Sequence, residues 1–121
     1  MRVHIDERRA AYCALFDDAG LPGDINVFKI NKGAITCWHR HQKQTDRFFV
    51  VQGSLLLQAI YPDGVRDKLL LHSQLSGTKI RPDVWHGYEA LEDTILVMYL
   101  DQKYDPSDEE RATPEDLGQP W

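Results

Sequence analysis

The sequence has little of what exported, membrane-spanning or disulfide-stabilised proteins contain. Only two of its 121 residues are cysteines, Cys13 and Cys37, and they form neither a CxxC pair nor a zinc-type spacing, so both are expected to be free thiols. The longest apolar runs, such as residues 95–100, are far shorter than a membrane-spanning helix. The opening residues are polar and charged, unlike a signal peptide. These absences predict a cytoplasmic protein without a membrane partner.

The chain also lacks an excess of basic residues. It has 14 Lys and Arg against 19 Asp and Glu, which gives a formal net charge of −5. Nucleic-acid binding requires a concentrated basic face, so this balance argues against a nucleic-acid partner. A hydrophobic fraction of 42% is ordinary for a globular protein, and the length predicts a single domain over residues 1–121.

No long amphipathic helix pattern is present, and short β-forming segments separated by turns replace it. Turn sequences such as Asn31-Lys32-Gly33 and Pro62-Asp63-Gly64 separate these segments. The pattern excludes a parallel βαβ sheet and predicts an all-β sandwich or barrel. Residues 6–19 fit an edge strand or one short helix, and Ser107 is expected to cap a polar helical turn in an acidic, solvated tail. The predicted strands are residues 25–30, 34–41, 47–51, 55–61, 65–71, 78–81, 84–90 and 95–101.

Three histidines and one aspartate carry the most informative chemistry. His39 and His41 are two residues apart on a predicted strand, so their side chains point to the same face. The strand that enters about five residues later can bring Asp46 alongside them, and His86 follows the turn at Pro82. If they converge inside a barrel, they would bind a divalent ion such as Fe, Mn, Ni or Zn, or act as acid–base groups. The residues alone leave both possibilities open.

The spacing of these residues resembles the first motif of the cupin superfamily. Gly33 is followed after five residues by His39 and His41, then by Asp46 where glutamate is usual, and then by Gly53. A looser second motif runs from Gly77 through Pro82 to His86, with Val84 in the position of a glycine. The resemblance implies a small cupin jelly-roll barrel with short N- and C-terminal extensions.

Within the cupins, the chain is similar to the dTDP-4-dehydrorhamnose 3,5-epimerase family almost end to end. Segments 6–9, 36–39, 82–88, 104–110 and 118–121 are similar to family motifs in the same order. The resemblance implies that His39 is the catalytic base and that Tyr99, thirteen residues after His86, is the catalytic acid. It implies no cofactor, a nucleotide-linked 4-keto-6-deoxy sugar as substrate, and a homodimer. The substrate-binding candidates are Arg8, Arg47, His86 and Tyr88.

Several departures from that family keep other functions open. Asp46 stands where the family has an enolate-stabilising lysine, Thr36 replaces an arginine, and the base-orienting aspartate of the family has no counterpart. His41 and Asp46 are instead the groups that a metal site needs. The second hypothesis is therefore a metal-dependent isomerase, lyase or dioxygenase whose ligands are His39, His41, Asp46 and His86. A third is a cupin that binds a sugar or metabolite without converting it.

Overall fold

Short antiparallel strands joined by tight turns dominate the computed structural model, which describes residues 1–73 and 78–121. Three short helical segments accompany them: Asp17–Ala19, Pro106–Asp108 and α1 (Pro114–Leu117). The strands of the described residues are β1 (Arg2–Ile5), β2 (Arg9–Leu15), β3 (Asp24–Ile30), β4 (Ile35–His41), β5 (Asp46–Gln52), β6 (Ser54–Ile60), β7 (Arg66–His72), β8 (Thr78–Ile80), β9 (Trp85–Ala90), β10 (Thr94–Leu100) and β11 (Glu109–Arg111).

The strands form two antiparallel sheets that face each other. One sheet has the order β1-β2-β3-β10-β5-β8, and the other has the order β11-β4-β9-β6-β7. Neighbours in each sheet are often distant in the chain, as β3 and β10 are, which is the connectivity of a jelly roll rather than of a simple meander. The expected all-β jelly-roll fold is confirmed.

Alternation along each strand sorts side chains between the core and the outer faces. On β10, Leu96, Met98 and Leu100 are buried, whereas Val97 and Tyr99 point to the opposite face. The inward residues of both sheets pack into one apolar cluster that includes Phe28. This cluster fills one part of the sandwich and leaves room for polar residues in the other.

The two ends of the chain differ from the expectation in informative ways. Residues 6–19 contain a strand, β2, because its residues pair with β3 across the sheet. Ser107 is not a helix cap: the Asp105 side chain accepts from the Ser107 backbone N–H and begins a short 3-10 helix. The chain then pairs with β4 as β11, so the tail is part of the sheet instead of a solvated cap.

Cys13 and Cys37 are both free thiols. Within the described residues, none of the helices has the length and apolarity of a membrane span. Gly77, the glycine proposed for the second motif, lies outside the described residues.

Candidate metal centre

A bulge in β4 aims its histidines into the space between the sheets. Thr36 pairs with Tyr88 and His39 pairs with His86, so two residues of β4 oppose only Gly87 on β9. The extra residue changes the alternation, which lets Thr36 and His39 line the same cavity although they are three residues apart. His41 follows on that face, and the prediction that His39 and His41 share a face is confirmed.

Gly87 is required for this bulge because the two strands approach closely there. A Cβ atom on Gly87 would lie 2.5 Å from the Cys37 Cβ atom and 2.5 Å from the Thr36 carbonyl oxygen. Both distances are far below a van der Waals contact, and one of them involves backbone. Any larger residue would therefore push β4 away from β9 and move His39 relative to His86.

The four predicted ligands converge from both sheets. His39 and His41 come from β4 and His86 from β9, whereas Asp46 comes from β5 in the opposite sheet. One potential ligand atom from each of the four side chains lies within 4.8 Å of all the others. The His39 and His86 ring centroids are 4.1 Å apart. The two halves of the sandwich thus meet in a single polar cluster.

Asp46 is the charged centre of this cluster. Its side chain is 2% exposed, and its Oδ2 atom lies 3.2 Å from His86 Nε2 and 3.4 Å from His41 Nε2. Burial alone would raise the pKa of Asp46, but hydrogen bonds from His41 and His86 outweigh it and hold the pKa below its ordinary value. The carboxylate is therefore ionised and available as a ligand.

His39 and His41 respond differently to their surroundings. Burial, reinforced by the nearby imidazole of His86, holds the pKa of His39 well below its ordinary value. Burial also lowers the pKa of His41, but the hydrogen bond and charge of Asp46 outweigh it and raise the pKa. His39 is thus neutral, the form that binds a metal ion, whereas His41 holds its proton more tightly than an ordinary histidine and must release it to bind a metal ion.

Neighbouring groups orient these side chains. His86 Nδ1 lies 2.9 Å from the Val84 carbonyl oxygen, to which it donates, so its Nε2 atom is presented to the cluster. The Gln44 amide donates to Asp46 Oδ1 at 2.5 Å and fixes the carboxylate. Among the described residues, the buried Nδ1 atom of His41 has no hydrogen-bond partner.

These donors fit a divalent transition-metal ion. Nitrogen and oxygen ligands lie about 2.0–2.2 Å from such an ion, so ligand atoms on opposite sides are about 4.4 Å apart. The observed limit of 4.8 Å needs only a small contraction. Three imidazoles and one carboxylate suit Mn, Fe, Ni or Zn and would leave coordination positions free on the cavity side.

Asp108 supports the site and was missed by sequence reasoning, which placed it in a solvated acidic run. It is 5% exposed, and its carboxylate accepts from the backbone N–H groups of Gln42, Lys43 and Gln44 and from the Gln102 side chain. These bonds fix the loop that joins β4 to β5. The loop connects His41 to Asp46, so Asp108 sets the distance between two ligands. Its place in a run of acidic residues, directly before Glu109, gives no signal of this role in the sequence.

In front of the cluster lies a cavity of about 430 Å³. Arg8 and Tyr88, two of the predicted substrate-binding residues, line it together with His39 and His41. Arg8 donates to Asp6 at 3.0 Å and to the Thr36 hydroxyl at 3.2 Å, so its charge is balanced within the chain. Its hydrogen bond to Asp6 raises the pKa of Arg8.

Two other predicted site residues lie elsewhere. Tyr99 and Arg47 line a groove on the outer face of the six-stranded sheet, with Phe49 and Val97. The reason is alternation: on β10, Met98 and Leu100 face the cavity, and Tyr99 between them faces outward. The structure therefore does not bring Tyr99 to His39, and the expected base–acid pair is not formed within the chain. Two phenols line this cavity instead: Tyr88, which is buried, and Tyr104, which is half exposed.

Comparisons with known proteins identify similar folds but no close relative. The sequence matches no protein-family profile. It also matches no curated protein. The capsular polysaccharide assembling protein CapF from Staphylococcus aureus has a TM-score of 0.80 at 19% identity, over 91% of this chain and 33% of CapF. Oxalate decarboxylase from Bacillus subtilis has a TM-score of 0.81 at 14% identity, over 98% of this chain and 32% of the decarboxylase. The Lactobacillus farciminis oxalate decarboxylase formate complex has a TM-score of 0.79 at 12% identity, over 99% of this chain and 36% of that protein.

This chain therefore spans about one third of the length of the solved structures that it matches. At these identities the likeness concerns the fold alone. The shared jelly roll agrees with the fold that the resemblance found in the sequence implies. The chain has a cupin-type jelly roll with a three-histidine, one-aspartate cluster at its centre.

Proposed function

We propose that this chain is a metal-dependent cupin enzyme in which His39, His41, Asp46 and His86 hold one divalent transition-metal ion. The observation that carries the proposal is the convergence of four potential ligand atoms within 4.8 Å, from two sheets, at the end of a cavity. A divalent ion bound there supplies a Lewis acid that polarises a carbonyl or carboxylate oxygen of the substrate. The reaction class is that of a metal-assisted isomerase, lyase or dioxygenase.

The chain's own residues prepare the site for that chemistry. Val84 and Gln44 hold His86 and Asp46 in the orientation that presents their donor atoms. Burial keeps the ligands dry: His86 and Asp46 are each 1% exposed. The cavity leaves one side of the cluster open, which gives a small substrate access without admitting a macromolecule.

Metal analysis of untagged protein tests the proposal. We expect about one Mn, Fe, Ni or Zn ion per chain, and a loss of binding in His41→Ala. His72→Ala is the matched control because His72 is exposed on β7, and it should bind metal like the wild type. Thermal unfolding of each variant verifies that it is folded. Metal well below one ion per chain at saturating concentration, or equal binding by folded His41→Ala, would contradict the proposal.

The epimerase suggested by the sequence is the second candidate. It is supported by a base and a buried phenol in one cavity, but that buried phenol is Tyr88 rather than Tyr99. In that reaction His39 would remove a proton next to the ketone of a nucleotide-linked 4-keto-6-deoxy sugar, and Tyr88 would return one. The discriminating assay is deuterium uptake at the sugar carbons in D₂O, followed by NMR. The epimerase is favoured if deuterium uptake persists after metal removal and in Tyr99→Phe but is lost in Tyr88→Phe. No uptake with the wild type rejects it.

A further inference from the structure

Arg9 occupies an unusual position in the wall of the cavity. Its guanidinium lies over the Phe28 ring, 4.3 Å from the ring centre, and its Nη1 atom donates to the Tyr88 hydroxyl at 2.6 Å. Its Nε atom is buried and has no hydrogen-bond partner in the described residues. A neutral phenol and an aromatic ring are thus its principal contacts.

The charge of Arg9 is not balanced by a carboxylate. The other half-buried arginines near the site are paired: Arg8 with Asp6, and Arg40 with Glu110. Arg9 has no ion pair within the described residues, although acidic residues outnumber basic ones in the chain. A partly buried cation without a counterion is unfavourable, so an anion from outside the chain would stabilise it.

Arg40 provides a comparison with Arg9. Arg40 also stacks on an aromatic ring, that of Trp85, and its Nε atom is also buried without a partner. It differs in having Glu110 as its counterion and in lying outside the cavity. The unbalanced charge therefore coincides with the one of these two positions that a ligand can reach.

Tyr88 completes a pair of donors. Its hydroxyl oxygen accepts from Arg9, which leaves its own O–H proton free to donate to a ligand. The Tyr88 side chain is 2% exposed, so this donor faces the cavity rather than bulk water. A guanidinium beside a phenol O–H matches the two oxygens of a carboxylate.

The distance to the histidine cluster defines the size of the ligand. Tyr88 and His86 are two residues apart on one face of β9, which separates them by about 6.6 Å along the strand. Tyr88 lines the cavity, and the cluster residues that line it are His39, His41 and Asp46. We propose that the cavity binds a small dicarboxylic acid of four or five carbons, with one carboxylate on Arg9 and Tyr88 and the other end at the histidine cluster. The second contact rests on the proposed metal function, whereas the first rests only on Arg9 and Tyr88.

Calorimetric binding of malonate, succinate, glutarate and inorganic phosphate tests this proposal. We expect succinate or glutarate to bind metal-loaded protein best, and Arg9→Met to weaken binding by about 10- to 100-fold, the usual effect of losing a charge-assisted hydrogen bond. Tyr88→Phe should weaken it by a smaller factor. Arg40→Met is the matched control and should bind like the wild type. Metal content, measured in the same samples, should be unchanged in all four proteins.

A second comparison separates this inference from the proposed function. Glutarate and its half-amide should bind equally to metal-free protein, because only the carboxylate on Arg9 is used there; metal should favour the diacid. If diacid binding depends on Arg9 but not on metal, the contact of the second carboxylate with the histidine cluster is refuted, and only the carboxylate site at Arg9 and Tyr88 is supported. Unchanged binding in folded Arg9→Met, or tighter binding of phosphate than of any diacid, would overturn the proposal even if metal binds normally.

Discussion

Replacing Gly87 by alanine should damage the metal centre without touching any ligand. The added Cβ atom would lie 2.5 Å from both Cys37 Cβ and the Thr36 carbonyl oxygen. Restoring ordinary contacts of about 3.5 Å requires a displacement of about 1 Å between β4 and β9. His39 and His86 lie on these two strands, so their rings separate by a similar amount.

The size of the effect follows from packing and chain length. Overpacking a well-packed site costs about 1–3 kcal/mol of unfolding free energy. With an unfolding entropy of about 2.1 cal/mol/K per residue over 121 residues, this lowers Tm by about 4–12 °C. Metal affinity should fall by about 10- to 100-fold, as when the orientation of ligands is disturbed.

Calorimetric titration and thermal unfolding of Gly87→Ala measure both effects. Gly64→Ala is the matched control: Gly64 has a φ of +88° but nothing within 4 Å of its added Cβ atom. This control should lose about 1–2 kcal/mol through backbone strain and keep its metal affinity. The reasoning would be refuted if Gly87→Ala bound metal as tightly as the wild type, or if both variants lost affinity equally.

Three further predictions concern pH, the loop before β5 and the oligomeric state. The unfolding free energy of metal-free protein should fall as pH drops below 6.5, because unfolded His39 takes up a proton that folded His39 does not. This proton uptake contributes up to about 1.4 kcal/mol per pH unit. The raised pKa of His41 acts in the opposite sense, so His39→Gln should flatten or reverse the dependence of unfolding free energy on pH, measured by denaturant titration. An unchanged dependence in His39→Gln would contradict the lowered pKa of His39. Asp108→Asn should cost about 1.5–3 kcal/mol and weaken metal binding, because the amide NH2 that replaces Oδ2 cannot accept from the Gln44 N–H or the Gln102 side chain. The exposed Asp63→Asn should leave metal affinity unchanged, and a normal affinity in Asp108→Asn would remove its positioning role. The homodimer expected from the sequence should sediment at twice the 14.0 kDa of the chain, and a mass of 14.0 kDa would contradict it.

Local rules were sufficient to predict most strands and the histidine face. The alternation of β4 places His39 and His41 together, whereas the expectation that His86 joins them depends on the resemblance to the second cupin motif. The pairing of Asp46 with these residues also followed from its motif spacing. In each case, the deciding signal lies within about ten residues of chain, where side-chain alternation and turn preferences act directly.

The features that the sequence did not predict depend on contacts between segments that are distant in the chain. The β4 bulge follows from close packing against Gly87, and no residue preference within β4 identifies it. Asp108 is buried because three backbone N–H groups of another loop reach it, which its acidic neighbours in the sequence conceal. Tyr99 was placed by its distance from His86 alone, and counting residues across two strands does not establish which face of β10 it occupies.

Anomalous diffraction from crystals soaked with Mn²⁺ tests the central claim most directly. We expect one strong anomalous peak about 2.0–2.3 Å from donor atoms of His39, His41, Asp46 and His86. Soaking at a concentration that saturates binding in solution should fill this position. A peak elsewhere, or an empty cluster under those conditions, would contradict the assignment of these four residues as metal ligands.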